Sequence, residues 1–298
     1  MSEERASARN AATATAGDEP EAPGTWARLR RHRLAVASLV ALAATAAACV
    51  AAPLLAGYEF DAIDLDSIRA APSLEHWMGT DDLGRDLFTR VLYGGRVSIL
   101  IGVVAALIGT GLGALVGAVA GFYGRALDNL LMRFTDVVYS IPTLPLLIVL
   151  ASYTAATAGS MALVIGLLSW MTTARVVRGE VLSIKEAAYV EAARSLGATN
   201  GRLIVRHILP NALGPIVVGA TLTVGNAIIV ESSLSFLGLG VQPPTPTWGN
   251  MLMDAQATMA SKPWLTIFPG VAILVVVLAV NFLGDGLQDA LDPTGRET

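Results

Sequence analysis

Charged residues are spread so unevenly along this chain that the gaps between them define its elements. No charge interrupts the 25 residues between Arg33 and Glu59, the 28 between Arg96 and Arg125, the 38 between Asp136 and Arg175, or the 22 between Lys262 and Asp285. A helix needs about 20 apolar residues to cross the hydrocarbon core of a bilayer, so each gap has room for a span. The longest gap exceeds one span, and the weakly polar stretch 152–160 divides it. A further apolar run, 212–237, reads as a span although it carries Asn226 and Glu231. The pattern predicts an all-α membrane protein of six helices, at about 34–56, 97–122, 131–152, 160–177, 212–237 and 264–284. A soluble protein with buried helices would show amphipathic stripes instead of runs apolar on every face.

Composition supports this reading and charge orients it. Of 298 residues 54% are hydrophobic and only 15% charged, against roughly a quarter charged in soluble domains. With the N-terminus inside, the cytoplasmic segments hold 15 of the 20 Lys and Arg, leaving Arg69, Arg85, Arg90, Arg96 and Lys262 outside. That bias predicts both termini in the cytoplasm. Residues 1–25, rich in Ala, Thr, Ser and Glu, read as a disordered tail, followed by a transmembrane domain over 26–298. The basic stretch 28–33 resembles a signal n-region, but the apolar run after it is long enough to remain as an anchor. Cys49 is the only cysteine, so neither a disulfide framework nor a thiolate metal site is available.

The segments between spans carry the candidate chemistry. The outer segment, about 57–95, has eight acidic residues from Glu59 to Asp86, and its second half, 76–99, reads as a short helix with glycine-marked ends. His76 with Asp81, Asp82 and Asp86 offers the residue types of a metal site. One histidine with unspaced carboxylates is a weak pattern, so capping and turn chemistry is the expected use. Gly109, Gly113, Gly117 and Gly121 recur every fourth residue, which places them on one helix face where another helix can approach closely. Arg133 and Asp136, three apart, are expected to pair locally. The segment 177–211 is too polar to span. It reads as a helix over 185–197 ending at a glycine cap, then a second short helix over 202–211 stopped by Pro210. Its interleaved Val181, Leu182, Ile184, Val190 and Leu196 suit a compact docking element better than a linker. The loop 238–263, with Pro243, Pro244 and Pro246, reads as stiff and shaped.

In that polar segment, EAARSLGATNGRLIVRHILPN (residues 191–211) resembles the EAA loop of ABC-importer permeases. Glu191, Ala192, Ala193, Gly197, Leu209 and Pro210 fit the motif. His207 stands where an isoleucine is usual, as in the dipeptide, oligopeptide and nickel branch. HWMGTDDLGRD (76–86), ESSLSFLGLGVQPPTPTWGNML (231–252) and NFLGDGLQDALDP (281–293) are similar to the C-type permease subunit of that branch. The resemblance implies a type I ABC importer permease fold, with the segment 178–211 as a coupling-helix loop. It implies import of peptides, or of nickel or another small solute, by alternating access. It also implies a homologous permease in a heterodimer, two ATPase subunits that bind ATP and Mg, and an extracytoplasmic solute-binding protein, set in membrane lipid. No nucleic acid partner, no metal and no cofactor of its own is expected.

Other function classes fit less well. The chain has no Gly-rich phosphate loop with Lys-Ser/Thr, so it is not itself the ATPase. An ion-driven transporter would place several acids or histidines in its spans, where Glu231 stands nearly alone. An intramembrane enzyme needs a nucleophile, base or metal set there, and none of the three histidines lies in a span. For Glu231 two places stay open: the bundle interior or the partner permease, on a translocation path or subunit interface shared with Asn226, or the outer membrane interface.

Overall fold

The structure is a computed structural model that describes residues 28–30 and 32–291. The expected tail over 1–25 and the chain end after 291 lie outside the described residues. Ten helices organise the rest: α1 (Arg33–Val50), α2 (Leu87–Tyr123), α3 (Arg125–Ser140), α4 (Thr143–Ser152), α5 (Ala158–Leu167), α6 (Trp170–Ile184), α7 (Ala188–Ser195), α8 (Leu213–Phe236), α9 (Trp248–Ala255) and α10 (Trp264–Leu291). Among the described residues there is no strand, only one isolated bridge between Thr80 and Asp86.

Four helices, α1, α2, α8 and α10, are each long and apolar enough to cross a membrane. Two bent helix pairs meet the same requirement of length and hydropathy only when each pair is counted as one span. α3 and α4 meet at 82°, and α5 and α6 at 44°. The sharper bend has a local cause. Ile141 precedes Pro142 and is extended (φ −79°, ψ 128°), because a following proline disfavours the helical region. The span expected over 131–152 thus falls on a bent pair of helices that starts at Arg125. Its first half is an amphipathic helix that keeps charge on one side.

α2 is the hub. It packs against α5, α6 and α8, while α10 joins α8 to α1. At 37 residues it is about 55 Å long and overruns the hydrocarbon core at its ends. Its start corrects the expected short helix over 76–99. Asp86 caps α2, accepting from Thr89 N at 2.8 Å and Thr89 Oγ1 at 2.7 Å, and the helix then runs through Gly94 and Gly95 without a break. A helix-interior glycine serves here where backbone must come close: a Cβ at Gly95 would sit 2.7 Å from the Trp248 ring.

The segment before α2 is held by pairs of charged and polar side chains. Asp81 meets Arg85 at 2.6 Å and Arg90 at 3.2 Å, Asp82 meets Arg69 at 2.6 Å, and Asp86 meets His76 at 2.9 Å. The carboxylates are thus spent on separate partners, and no metal-competent group of three occurs among the described residues. Arg85 also approaches Asp254 of α9 at 3.8 Å. Burial raises the Asp254 carboxyl above its usual range, with Arg90 and Arg85 offsetting part of that shift.

Candidate functional site: a polar-lined cavity and the loop at its end

The segment after α6 folds into a compact knob. α6 ends at Ile184, the chain breaks helix over 185–187, and α7 follows. The expected continuous helix over 185–197 is thus shortened at its start. Its glycine cap forms in full: Gly197 has φ +86°, Gly197 N donates to Arg194 O at 3.0 Å, and Ala198 N donates to Ala193 O at 3.1 Å. These two bonds are the 5→2 and 6→1 pair of a Schellman motif. The second short helix, expected over 202–211, is a one-turn stub followed by a wider turn of helix, Leu203–Ile208. There Leu209 N reaches back five residues to Ile204 O at 2.8 Å. Pro210 then ends it, and α8 starts at Leu213.

Val190, Leu203 and Ile208 are fully buried against Val177 and Val181 of α6 and Ala118 of α2. The knob is therefore rooted in the bundle. Its other face is open. Glu191, Ala192, Arg194 and Gly197 are exposed, Ala193 is half-buried, and Leu196 is 89% exposed. Leu196, one of the interleaved apolar residues, thus stands on the open face of the knob.

Next to the knob lies a cavity of about 1110 Å³, walled by α4, α6, α8 and the ends of α3, α5 and α10. That is at the upper end of the roughly 300–1,000 Å³ usual for ligand pockets. Four-residue spacing builds its walls. On α6 Thr172, Val176 and Glu180 share a face, and on α8 Gly214, Val218, Leu222, Asn226 and Val230 do so. From 214 to 230 α8 rises about 24 Å, so the cavity extends deep along the bundle. Its polar lining is mostly hydroxyl and amide: Thr143, Ser169, Thr173, Thr223, Asn226 and Gln288 among others. Asn226 and Gln288 are exposed in this single chain, so the cavity is open along one side. Pro210 and Asn211, the last residues of the knob, form part of its wall.

Asn226 and Glu231 were grouped by sequence, and the structure separates them. Asn226 lines the cavity; Glu231 is 0% exposed and does not. Of the places left open for Glu231, the structure gives the bundle interior, where it ties helices together. Five residues further along α8 it lies on another face, turned toward α2 and α9. Ser235 Oγ donates to its Oε1 at 2.7 Å and Ser98 Oγ to its Oε2 at 3.1 Å. Ser98 Oγ in turn accepts from Trp248 N, the first residue of α9, at 3.3 Å. Sequence reasoning missed this tie because Ser98 and Trp248 lie far from Glu231 along the chain.

Gly109, Gly113, Gly117 and Gly121 are all buried on the α2 face that meets α6 and its approach. A Cβ at Gly113 would lie 2.6 Å from both Trp170 O and Thr173 Cβ, and one at Gly121 2.9 Å from Arg178 O. Alongside this seam Arg178 grips both Asp128 oxygens, Nη2 to Oδ2 at 2.7 Å. Asp136 pairs with Arg175 at 2.8 Å, not with Arg133 as expected. The bend between α5 and α6 and the short α3 bring Arg175 alongside it.

Residues 113–296 match the family model described as the binding-protein-dependent transport system inner membrane component. Residues 24–72 match that of the N-terminal transmembrane domain of oligopeptide transport permease C. A putative peptide permease protein of Brucella suis is 44% identical over 268 residues, 89% of each chain. A dipeptide transport system permease protein of Bacillus subtilis is 43% identical over 272 residues, 91% of this chain and 85% of that one. Among solved structures, the MetNI methionine ABC transporter in inward-facing conformations is similar with a TM-score of 0.54 at 21% identity, over 68% of this chain and 96% of that one. That likeness bears on the fold alone.

Proposed function

Since the chain belongs to the family of binding-protein-dependent transport system inner membrane components, we propose that it is a membrane subunit of an importer that carries peptides by alternating access. A homologous permease closes the open side of the cavity, giving a path between two subunits in the inner membrane, with both termini cytoplasmic. Two separate ATPase subunits bind ATP and Mg, and an extracytoplasmic binding protein delivers the solute. The peptide class is supported by the names of the relatives and by the amides and hydroxyls set in a mainly apolar cavity lining, which match the donors and acceptors of a peptide backbone.

One observation carries the coupling role of the EAA loop: its final residues, Pro210 and Asn211, are also cavity wall. A force on the exposed face of α7, around Glu191, Ala192 and Leu196, passes through the buried Val190–Leu203–Ile208 contacts to α6 and α8. These two helices form the main walls. ATP binding that favours one ATPase arrangement then shifts the equilibrium between two cavity states.

Gly197 tests this reading. A Cβ at Gly197 would meet nothing within 4 Å, so a larger side chain has room, but valine at φ +86° is strained by about 1–3 kcal/mol. In vesicles holding the complete complex, Gly197→Val is expected to leave assembly intact. It should cut binding-protein-stimulated ATP hydrolysis and peptide uptake together by roughly tenfold. Unchanged stimulation and uptake would refute the coupling role.

A further inference from the structure

The cavity contains one charged side chain among its described lining residues, Glu180, and it sits at the end closed by the knob. Helical geometry puts it there: Thr172, Val176 and Glu180 repeat every four residues along the cavity face of α6. The basic residues of the same stretch are engaged elsewhere. Arg175 pairs with Asp136 at 2.8 Å and lies 4.4 Å over the Tyr139 ring. Arg178 is bound by Asp128, and Lys185 Nζ donates to Gly121 O at 3.1 Å. Glu180 itself has no hydrogen bond or ion pair with any described residue.

Two neighbours on the lining add acceptors. Asn211 Nδ2 is committed to His207 O at 2.6 Å, which leaves its Oδ1 unused. Gln288 of α10 contributes a second exposed amide at the same end. A half-buried carboxylate at the cavity end that Asn211 and Gln288 also line, between largely apolar helix faces, concentrates negative potential and draws cations. Nothing on the deeper lining, where Asn226 is the main polar group, has that character.

We propose that Glu180 forms a cation-accepting station at the loop end of the cavity, which takes the ammonium or guanidinium group of a basic peptide side chain as the solute leaves. The proposal rests on the reading that this cavity carries the solute, and it adds a preference of the permease itself, separate from that of the binding protein.

The test uses the complete complex in vesicles and a mixed pool of dipeptides, with uptake measured peptide by peptide. The binding protein is the same throughout, so its selectivity cancels between variants. Glu180→Gln is expected to lower uptake of Lys- and Arg-containing members relative to Asp- and Glu-containing ones by about fivefold, the effect of one solvent-accessible charge pair. Glu180→Asp should retain most of the preference, and stimulation of ATP hydrolysis by loaded binding protein should stay within twofold of wild type. An unchanged ratio with normal uptake overturns the station while leaving the peptide reading intact. An equal fall across all members, or lost ATPase stimulation, also overturns it, because Glu180 then supports the wall or the coupling loop. If the unsubstituted complex takes up no member of the pool, the peptide reading itself fails.

Discussion

Glu231 shows how one side chain can connect three helices. Its carboxylate accepts from Ser235 on its own helix and from Ser98 on α2. Ser98 carries the contact onward to the first backbone N–H of α9, a group with no partner inside its helix. Both hydroxyls, of Ser98 and Ser235, donate to the carboxylate, so an amide at 231 would turn a donor against donors. Glu231→Gln is expected to lower stability by about 1–3 kcal/mol through the disturbed buried network, read as a lower unfolding temperature of the purified complex in detergent. Ser235→Ala should give a smaller loss in the same direction. An unchanged unfolding temperature for Glu231→Gln would remove the tie from the account. The sequence marked Glu231 as unusual because an acid in a span is costly against lipid. It did not reveal the answer to that cost, which comes from hydroxyls supplied by other elements.

At the scale of elements, the seam between α2 and α6 depends on missing side chains. Gly113 has Trp170 O and Thr173 Cβ at 2.6 Å from where its Cβ would be, whereas Gly111, half a turn away, has nothing within 4 Å. The two glycines therefore form a paired test on one helix. Gly113→Ala should force α6 outward and cost about 1–3 kcal/mol. Gly111→Ala should be neutral or stabilising by up to about 1 kcal/mol, since alanine favours helix. The yield and unfolding temperature of monodisperse complex separate them; equal behaviour would mean that the seam is not set by close approach. The four-residue glycine repeat was legible because it is a property of one helix. Which helix fills the groove was not, since α6 reaches it only through the 44° bend after α5.

For the whole molecule, the charge bias and the fold make one joint prediction about sidedness. The acidic segment before α2 and the knob lie at opposite ends of α2, so they should face opposite compartments. With Cys49 replaced by alanine, an impermeant thiol reagent should label Leu74→Cys, whose leucine is 96% exposed, in intact cells. It should label Thr199→Cys only after permeabilisation; labelling of Thr199→Cys alone in intact cells would reverse the topology. The all-helical membrane character and the rough place of the long apolar helices were legible in sequence alone, because a bilayer demands long uncharged runs whatever the packing. The Schellman turn at Gly197 was likewise readable, being built from bonds among residues a few positions apart. Tertiary structure alone decided that Asn226 lines a cavity and Glu231 does not, that Asp136 pairs with Arg175, and that Glu180 is left without a cation. Each of those outcomes depends on which faces of distant helices meet, and helix rotation and bending are set by packing between elements, which no local pattern records.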